Sequence, residues 1–119
     1  MSEPKLKAKL FVHAAIRRCG VHAINATVAR KGDEDSGTIL VRVYRSRDAC
    51  DLYSQVRDGA GRLVWMKVNP DQPMTEERTE AYIARARDID WDLWVLDVES
   101  PSGEVPFIED VVAGGGKLG

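Results

Sequence analysis

Short runs of alternating apolar and polar residues, separated by polar turns, fill the middle of this 119-residue chain. Alternation with a period of two is typical of a β-strand that buries one of its faces. The runs cover residues 24–28, 39–44, 52–57 and 63–68, and the turns cover residues 31–37, 46–49 and 58–61. Connections this short join neighbouring strands only in the antiparallel sense, because a parallel crossover needs a dozen or more residues.

Two other segments follow the helical period instead. Apolar side chains at positions 11, 12, 15, 16 and 19 share one stripe, which predicts a first helix over residues 9–19 that ends at Gly20. Thr75 is a suitable N-cap for a second helix over residues 75–87. Residues 93–98 are apolar on both faces, as expected of an inner strand, and a short segment follows at residues 105–108.

The order helix, four strands, helix, strand predicts an α+β domain with a mainly antiparallel sheet of about five strands. The simplest assembly packs both helices on one face of that sheet. We expect one domain over residues 1–112 and a flexible, glycine-rich tail over residues 113–119. The buried face would hold Val28, Val41, Val43, Leu52, Val56, Val64 and Met66.

In this assembly the opposite face of the sheet is open, and its side chains form the candidate binding surface. These are Arg42, Tyr44, Tyr53, Arg57, Trp65 and Lys67. Tyr, Trp and Arg are common anchors of protein interfaces, so we favour contact with a protein partner or with a second copy of the chain. Interleaved aromatic and cationic side chains also bind RNA or single-stranded nucleic acid, which is the alternative hypothesis. A solvated sheet face without a specific role remains a third interpretation.

Charge divides the chain at Asp71. Residues 1–70 carry 13 Lys and Arg against 7 Asp and Glu, whereas residues 71–119 carry 4 against 12. The two halves can pair internally, so the cations of the sheet would serve nucleic acid only if the acidic half does not fold over them. A sequence pI near 5.7 argues against a general nucleic-acid coat protein.

Four acidic residues match a calcium loop in spacing only. They are Asp88, Asp90, Asp92 and Glu99. The position that needs glycine for the sharp turn is Leu93, and the following strand would have to leave the core. We therefore expect no calcium site.

The remaining candidates for chemistry are two histidines and two cysteines. They are His13, Cys19, His22 and Cys50. Their spacing supplies no tetrahedral metal site and no nucleophile beside a base, so we expect no metal or cofactor and favour a non-catalytic protein. Whether these four residues take part in chemistry stays open, and a small enzyme with an unidentified site is the third hypothesis for function.

The chain has no window of 18 apolar residues, so we expect no membrane contact through a spanning helix. Lysines at positions 5, 7 and 9 precede a short apolar run that His13 and two arginines interrupt, which is too short for a signal peptide. Two cysteines without metal-ligand spacing predict buried free thiols in a reducing compartment, and hence a cytoplasmic protein.

Five segments occur here in a characteristic order. They are Leu6-Lys7-Ala8, the helix from Phe11 to Arg18, the turn Arg30-Lys31-Gly32-Asp33, the helix Ala81-Tyr82-Ile83-Ala84-Arg85 and the strand region from Asp92 to Glu99. Together they resemble a family of short, uncharacterised bacterial proteins, a domain of unknown function. The resemblance covers residues 4–108 and implies a stand-alone bacterial cytoplasmic protein. It implies no activity, ligand or catalytic residue.

Overall fold

The computed structural model describes residues 7–109 and 111–112, which form two helices and one six-stranded sheet. The elements in chain order are α1 (Ala8–Val21), β1 (Asn25–Arg30), β2 (Ile39–Ser46), β3 (Ala49–Arg57), β4 (Leu63–Lys67), α2 (Glu76–Ile89), β5 (Trp94–Glu99) and β6 (Val111–Val112). The predicted α+β class is confirmed. The predicted tail at 113–119 lies outside the described residues.

The sheet has the order β1-β5-β2-β3-β4-β6 and is mixed. The pairs β2–β3 and β3–β4 are antiparallel, as their short turns predict, and β1–β5 is antiparallel as well. However, β5 runs parallel to β2, and β6 runs parallel to β4. The connection through α2 is long enough for a crossover, so β5 enters between β1 and β2 rather than at an edge. Residues 105–108 form no strand, although Val105 and Phe107 are buried.

The two helices cover opposite faces of the sheet, so the predicted packing of both on one face is wrong. On one face α1 contributes Val12, Ala15 and Cys19 to a cluster that includes Ile39, Val41, Val43, Trp65, Trp94, Leu96 and Val98. On the other face Tyr82, Ile83 and Ala86 of α2 pack against Leu40, Leu52, Leu93 and Val95. The inner strand β5 is apolar on both sides and therefore needs cover on both sides.

The register between β2 and β3 separates residues that the alternation pattern had placed together. Val43 lies opposite Asp51, and Leu52 lies opposite Arg42, after an irregularity between Tyr44 and Ser46. A shift of one residue moves every side chain of a strand to the other face. Val41 and Val43 therefore point towards α1 while Leu52 points towards α2, and the predicted single buried face is wrong.

The helix ends follow local backbone chemistry. Thr75 caps α2, because its side-chain oxygen accepts a hydrogen bond from the backbone N–H of Arg78 at 3.1 Å. This confirms the predicted N-cap. The chain leaves α1 through Ala23, whose φ of 59° is left-handed, and not through Gly20. Neither helix of the described segments has the length and apolar character needed to cross a bilayer.

Candidate functional site

The six residues of the predicted binding surface do not share one face. Arg42 and Tyr44 lie on the side covered by α2. The register places the other four on the side of α1, namely Tyr53, Arg57, Trp65 and Lys67. The expected open face therefore does not exist as one surface.

Trp65 is part of the core. Its side chain is only 5 % exposed, and its ring centroid lies 6.0 Å from that of Phe11 and 5.9 Å from that of Phe107. These are ordinary distances for tilted and edge-to-face aromatic pairs. Its size thus serves the packing of α1 and the segment around Phe107 against the sheet.

Arg42 is held by the acidic half of the chain. Its side chain is 12 % exposed, and it donates two parallel hydrogen bonds to Asp97, at 2.9 and 3.0 Å. Its Nη1 also donates to Thr79 and Glu80 on α2. Burial alone would lower the pKa of Arg42, but the bonds to Asp97 and Glu80 outweigh it and raise the pKa. The charge of Arg42 is therefore neutralised by partners within the fold.

A second polar cluster, which we call the Asp51 cluster, lies on the α1 side of the sheet. The Asp51 side chain is 5 % exposed, and its oxygens lie 3.3 Å from Nε of Arg45 and 3.7 Å from Nζ of Lys67. Asn69 donates a hydrogen bond to the same carboxylate at 3.0 Å. Nζ of Lys67 also lies 5.9 Å from the centroid of the Tyr53 ring, within the range of a cation–π contact.

The Asp51 cluster borders a cleft of about 380 Å³. Its lining residues are Tyr53, Gly103, Glu104, Val105, Pro106, Ile108 and Val111. Burial raises the pKa of the Tyr53 hydroxyl, Asp51 raises it further, and Arg45 partly opposes the rise. Tyr53 therefore stays neutral near pH 7 and can donate a hydrogen bond. The sequence predicted Tyr53 and Lys67 as surface residues but missed Arg45 and Asp51, which only the β2–β3 register brings beside them.

A third feature, which we call the α2–β5 corner, joins the end of α2 to the start of β5. A cleft of about 520 Å³ lies there between Tyr82, Arg85, Ala86, Ile89, Asp90 and Leu93. Beside it Ile89 is 86 % exposed and Trp91 is 79 % exposed. Arg30 donates a hydrogen bond to the backbone oxygen of Trp91 at 3.1 Å, which ties the loop to β1.

The α2–β5 corner was missed because its residues fall in the acidic segment that imitates a calcium loop. The available signal was a tryptophan and an isoleucine among aspartates, beyond the predicted end of the helix at residue 87. In the structure Asp90 accepts a hydrogen bond from the N–H of Asp92 at 2.9 Å, and Leu93 is buried in the core.

The soft side chains do not converge on a site. Cys19 and Cys50 are buried, free thiols, and desolvation is the main cause that raises the pKa of each. His13 and His22 lie on the exposed surface of the α1 region. Over residues 7–109 and 111–112, no three His, Cys, Asp or Glu side chains are grouped as a metal site would need.

Comparisons with known proteins give a family. A family model described as "Protein of unknown function (DUF1491)" matches residues 6–108. A crystal structure of a DUF1491 family protein from Caulobacter crescentus CB15 is 37 % identical, with a TM-score of 0.80, over 91 % of this chain and 100 % of that one. An NMR structure of a DUF1491 family protein from the same organism is 36 % identical, with a TM-score of 0.78, over 92 % and 99 % of the two chains.

A solution structure of a protein from A. tumefaciens has the same fold. Its TM-score is 0.71 at 24 % identity, over 92 % of this chain and all of that one. No curated protein matches the chain.

Proposed function

The chain belongs to the DUF1491 family, whose function is unknown, and we propose that it is a non-catalytic module that binds a second copy of itself through the α2–β5 corner. The observation that carries the proposal is the exposure of Trp91 and Ile89, at 79 % and 86 %, beside an apolar cleft. Large apolar side chains in such a grouping mark contact surfaces more often than isolated exposed residues do.

The composition of the α2–β5 corner suits a protein interface. Trp, Tyr and Arg are the side chains that most often carry binding energy at interfaces, and Trp91, Tyr82 and Arg85 occur here together. The cleft offers a depression for an apolar side chain, and Trp91 offers a side chain to fill one.

The corner is also complementary to itself. A twofold interface brings the same patch of both copies together, so it needs a projection beside a depression and both signs of charge. Trp91 and Ile89 form the projection, and the cleft beside them is the depression. Arg85 and Asp90 line this cleft with opposite charges. In a twofold pair Trp91 enters the cleft of the second copy, and Arg85 meets Asp90 of that copy.

Nucleic-acid binding through the predicted surface has less support. Arg42 is already neutralised by Asp97 and Glu80, and Lys67 lies on the other side of the sheet, so the predicted surface offers no continuous row of cations. Binding to phosphates needs cations that are free to replace counterions. We also propose that the protein works in a reducing, cytoplasmic compartment, because its two cysteines are buried, free thiols.

Sedimentation velocity between about 1 μM and 500 μM tests the proposal, a range that brackets the micromolar affinities typical of modest interfaces. We expect a dimer for the natural chain, and Trp91→Ala should raise its dissociation constant at least about 30-fold, as loss of an interface anchor worth about 2 kcal/mol does. The matched control is Val21→Ser, because Val21 is equally exposed at 79 % but lies at the end of α1.

A charge exchange tests the twofold geometry. Arg85→Asp should weaken the dimer, and adding Asp90→Arg in the same chain should restore it, because the charge pair is then reversed but intact. A natural chain that stays monomeric at the highest concentration would overturn the proposal, even if the corner binds a different protein. Equal dissociation constants for Trp91→Ala and Val21→Ser would overturn it as well.

A further inference from the structure

The cleft beside the Asp51 cluster lies on the α1 side of the sheet, on the face opposite to α2. Its floor is Tyr53 on β3, and its walls come from the segment that follows β5, including Gly103, Val105, Pro106 and Ile108. The lining therefore combines an aromatic ring, apolar side chains and one carboxylate, Glu104, and a mainly apolar lining with few polar groups is usual for a small-molecule site.

Two cations stand next to this cleft without lining it. Arg45 packs its side chain against Gly103, and Lys67 lies over the ring of Tyr53, so each touches a residue of the lining. Their side chains are 32 % and 30 % exposed, which screens their charges less than those of fully solvated residues. Asp51 balances only one of the two charges.

The position of Arg45 is built by the turn after β5. Gly103 has a φ of +85°, which requires glycine, and a Cβ atom there would lie 2.9 Å from Cδ of Arg45, so the Arg45 side chain lies directly against this turn. The turn is fixed by the Gly103 N–H bond to Ser100 O at 2.9 Å and by the Ser100 hydroxyl bond to Glu104 O at 2.8 Å. A hydrogen-bonded glycine turn thus lies against Arg45 at the mouth of the cleft.

Arg45 retains a donor that the described part of the fold does not satisfy. Its Nε is buried and lies 3.3 Å from Asp51, close enough for an ion pair, but no hydrogen bond from Nε is formed within residues 7–109 and 111–112. Asp51 therefore holds Arg45 by charge and not by an aligned hydrogen bond, and about a third of the side chain stays exposed to a ligand, at 32 %. Tyr53 supplies a second, neutral donor nearby.

We propose that this cleft binds a small organic oxyanion, a carboxylate or a phosphate monoester, with its charged oxygens on Arg45 and Lys67 and its apolar part on Tyr53 and Pro106. Arginine donors match the geometry of both kinds of oxyanion. Glu104 also stands on the wall, but it is exposed, so its charge is more strongly screened than those of the two half-buried cations.

Titrations of the ¹⁵N-labelled full chain, followed by NMR at constant ionic strength, test the proposal with three probes. Benzoate and phenyl phosphate present the two oxyanions on the same ring, and phenol is the neutral control. We expect the oxyanion probes to shift the signals of the Gly103 amide and the Arg45 Nε–H at concentrations up to about 10 mM, the weak range for small ligands, and phenol to shift them little. The tighter of the two probes identifies the chemical source.

Two variants separate a site from general charge attraction. Arg45→Gln should weaken binding at least about tenfold, as loss of a charge-assisted hydrogen bond does. The control Arg62→Gln removes a side chain that is 68 % exposed on the β3–β4 turn and should change nothing. If Arg45→Gln fails to fold, Lys67→Gln is used in its place. Absence of shifts with both oxyanions, or equal weakening by Arg62→Gln, overturns the proposal.

Discussion

Replacing Trp65 by alanine should remove a large share of the stability of the domain. Trp65 is 95 % buried, and tryptophan buries about 150–250 Å² of surface on folding. At about 25 cal/mol per Å² this corresponds to a loss of roughly 4–6 kcal/mol, before the part that the alanine retains is subtracted. Measured truncations of buried Phe and Trp cost about 3–5 kcal/mol, and the contacts with Phe11 and Phe107 place this one within that range.

Urea denaturation followed by far-UV circular dichroism measures this loss without depending on tryptophan fluorescence. We expect the free energy of unfolding to fall by about 3–5 kcal/mol, from a total of about 5–15 kcal/mol for a typical domain. The melting temperature should fall by roughly 12–20 °C, at about 4 °C per kcal/mol for a chain of this size.

Trp91→Ala is the matched control, because it removes the same side chain from a position that is 79 % exposed. It should change the free energy of unfolding by less than about 0.5 kcal/mol. The comparison is made at low protein concentration, because dimerisation adds stability by mass action. A loss below about 1 kcal/mol for Trp65→Ala, or equal losses for both variants, would refute the assignment of Trp65 to the core.

Two further predictions concern the strand alternation and the thiols. Val41→Asp should unfold the domain, because Val41 is fully buried. Arg42→Asp should lower the free energy of unfolding by about 3–5 kcal/mol, because it breaks a largely buried pair and sets a second carboxylate beside Asp97. Urea titrations measure both, and an unchanged midpoint for Arg42→Asp would contradict the pairing. Cys19 and Cys50 should resist a thiol reagent in the native protein at about pH 8 and react on denaturation, because burial raises the pKa of each thiol. Thiols in the unfolded chain ionise near their ordinary pKa of 9.0, before the buried ones do, so the free energy of unfolding should also fall as the pH rises past that value. Rapid labelling of the native chain would contradict the predicted burial of the thiols.

The sequence identifies the elements of the fold because their signals are local. The cap at Thr75 depends on residues within one turn of the helix, and the alternation in β2 depends on neighbours two positions apart. Residues 93–98 were predicted as an inner strand from their apolar run, and β5 does lie inside the sheet, between β1 and β2.

The relative placement of the elements depends on contacts that the sequence pattern does not carry. An irregularity between Tyr44 and Ser46 decides whether Leu52 faces α1 or α2, and alternation within each strand is the same in both cases. The apolar run of β5 did hold one unused clue, because a strand that is apolar on both sides cannot lie in a sheet with one bare face. The candidate sites were the least predictable part of the structure, because the Asp51 cluster depends on the register and the α2–β5 corner depends on the placement of α2.

The insertion of β5 between β1 and β2 has a consequence for how the chain is made. Strand β1 is complete when residue 30 has been synthesised, yet its hydrogen-bonding partner ends at Glu99, and Asn25 and Glu99 are 74 residues apart. At about 5–20 residues per second, translation leaves β1 without its neighbour for roughly 4–15 s. During that interval β2, β3 and β4 can pair through their short turns, before β5, which must later enter beside β2, has been synthesised. A nascent chain stalled before residue 94 would therefore leave unpaired the edges of β1 and β2 that β5 later joins. A chaperone that binds extended apolar segments would have its best opportunity at that stage.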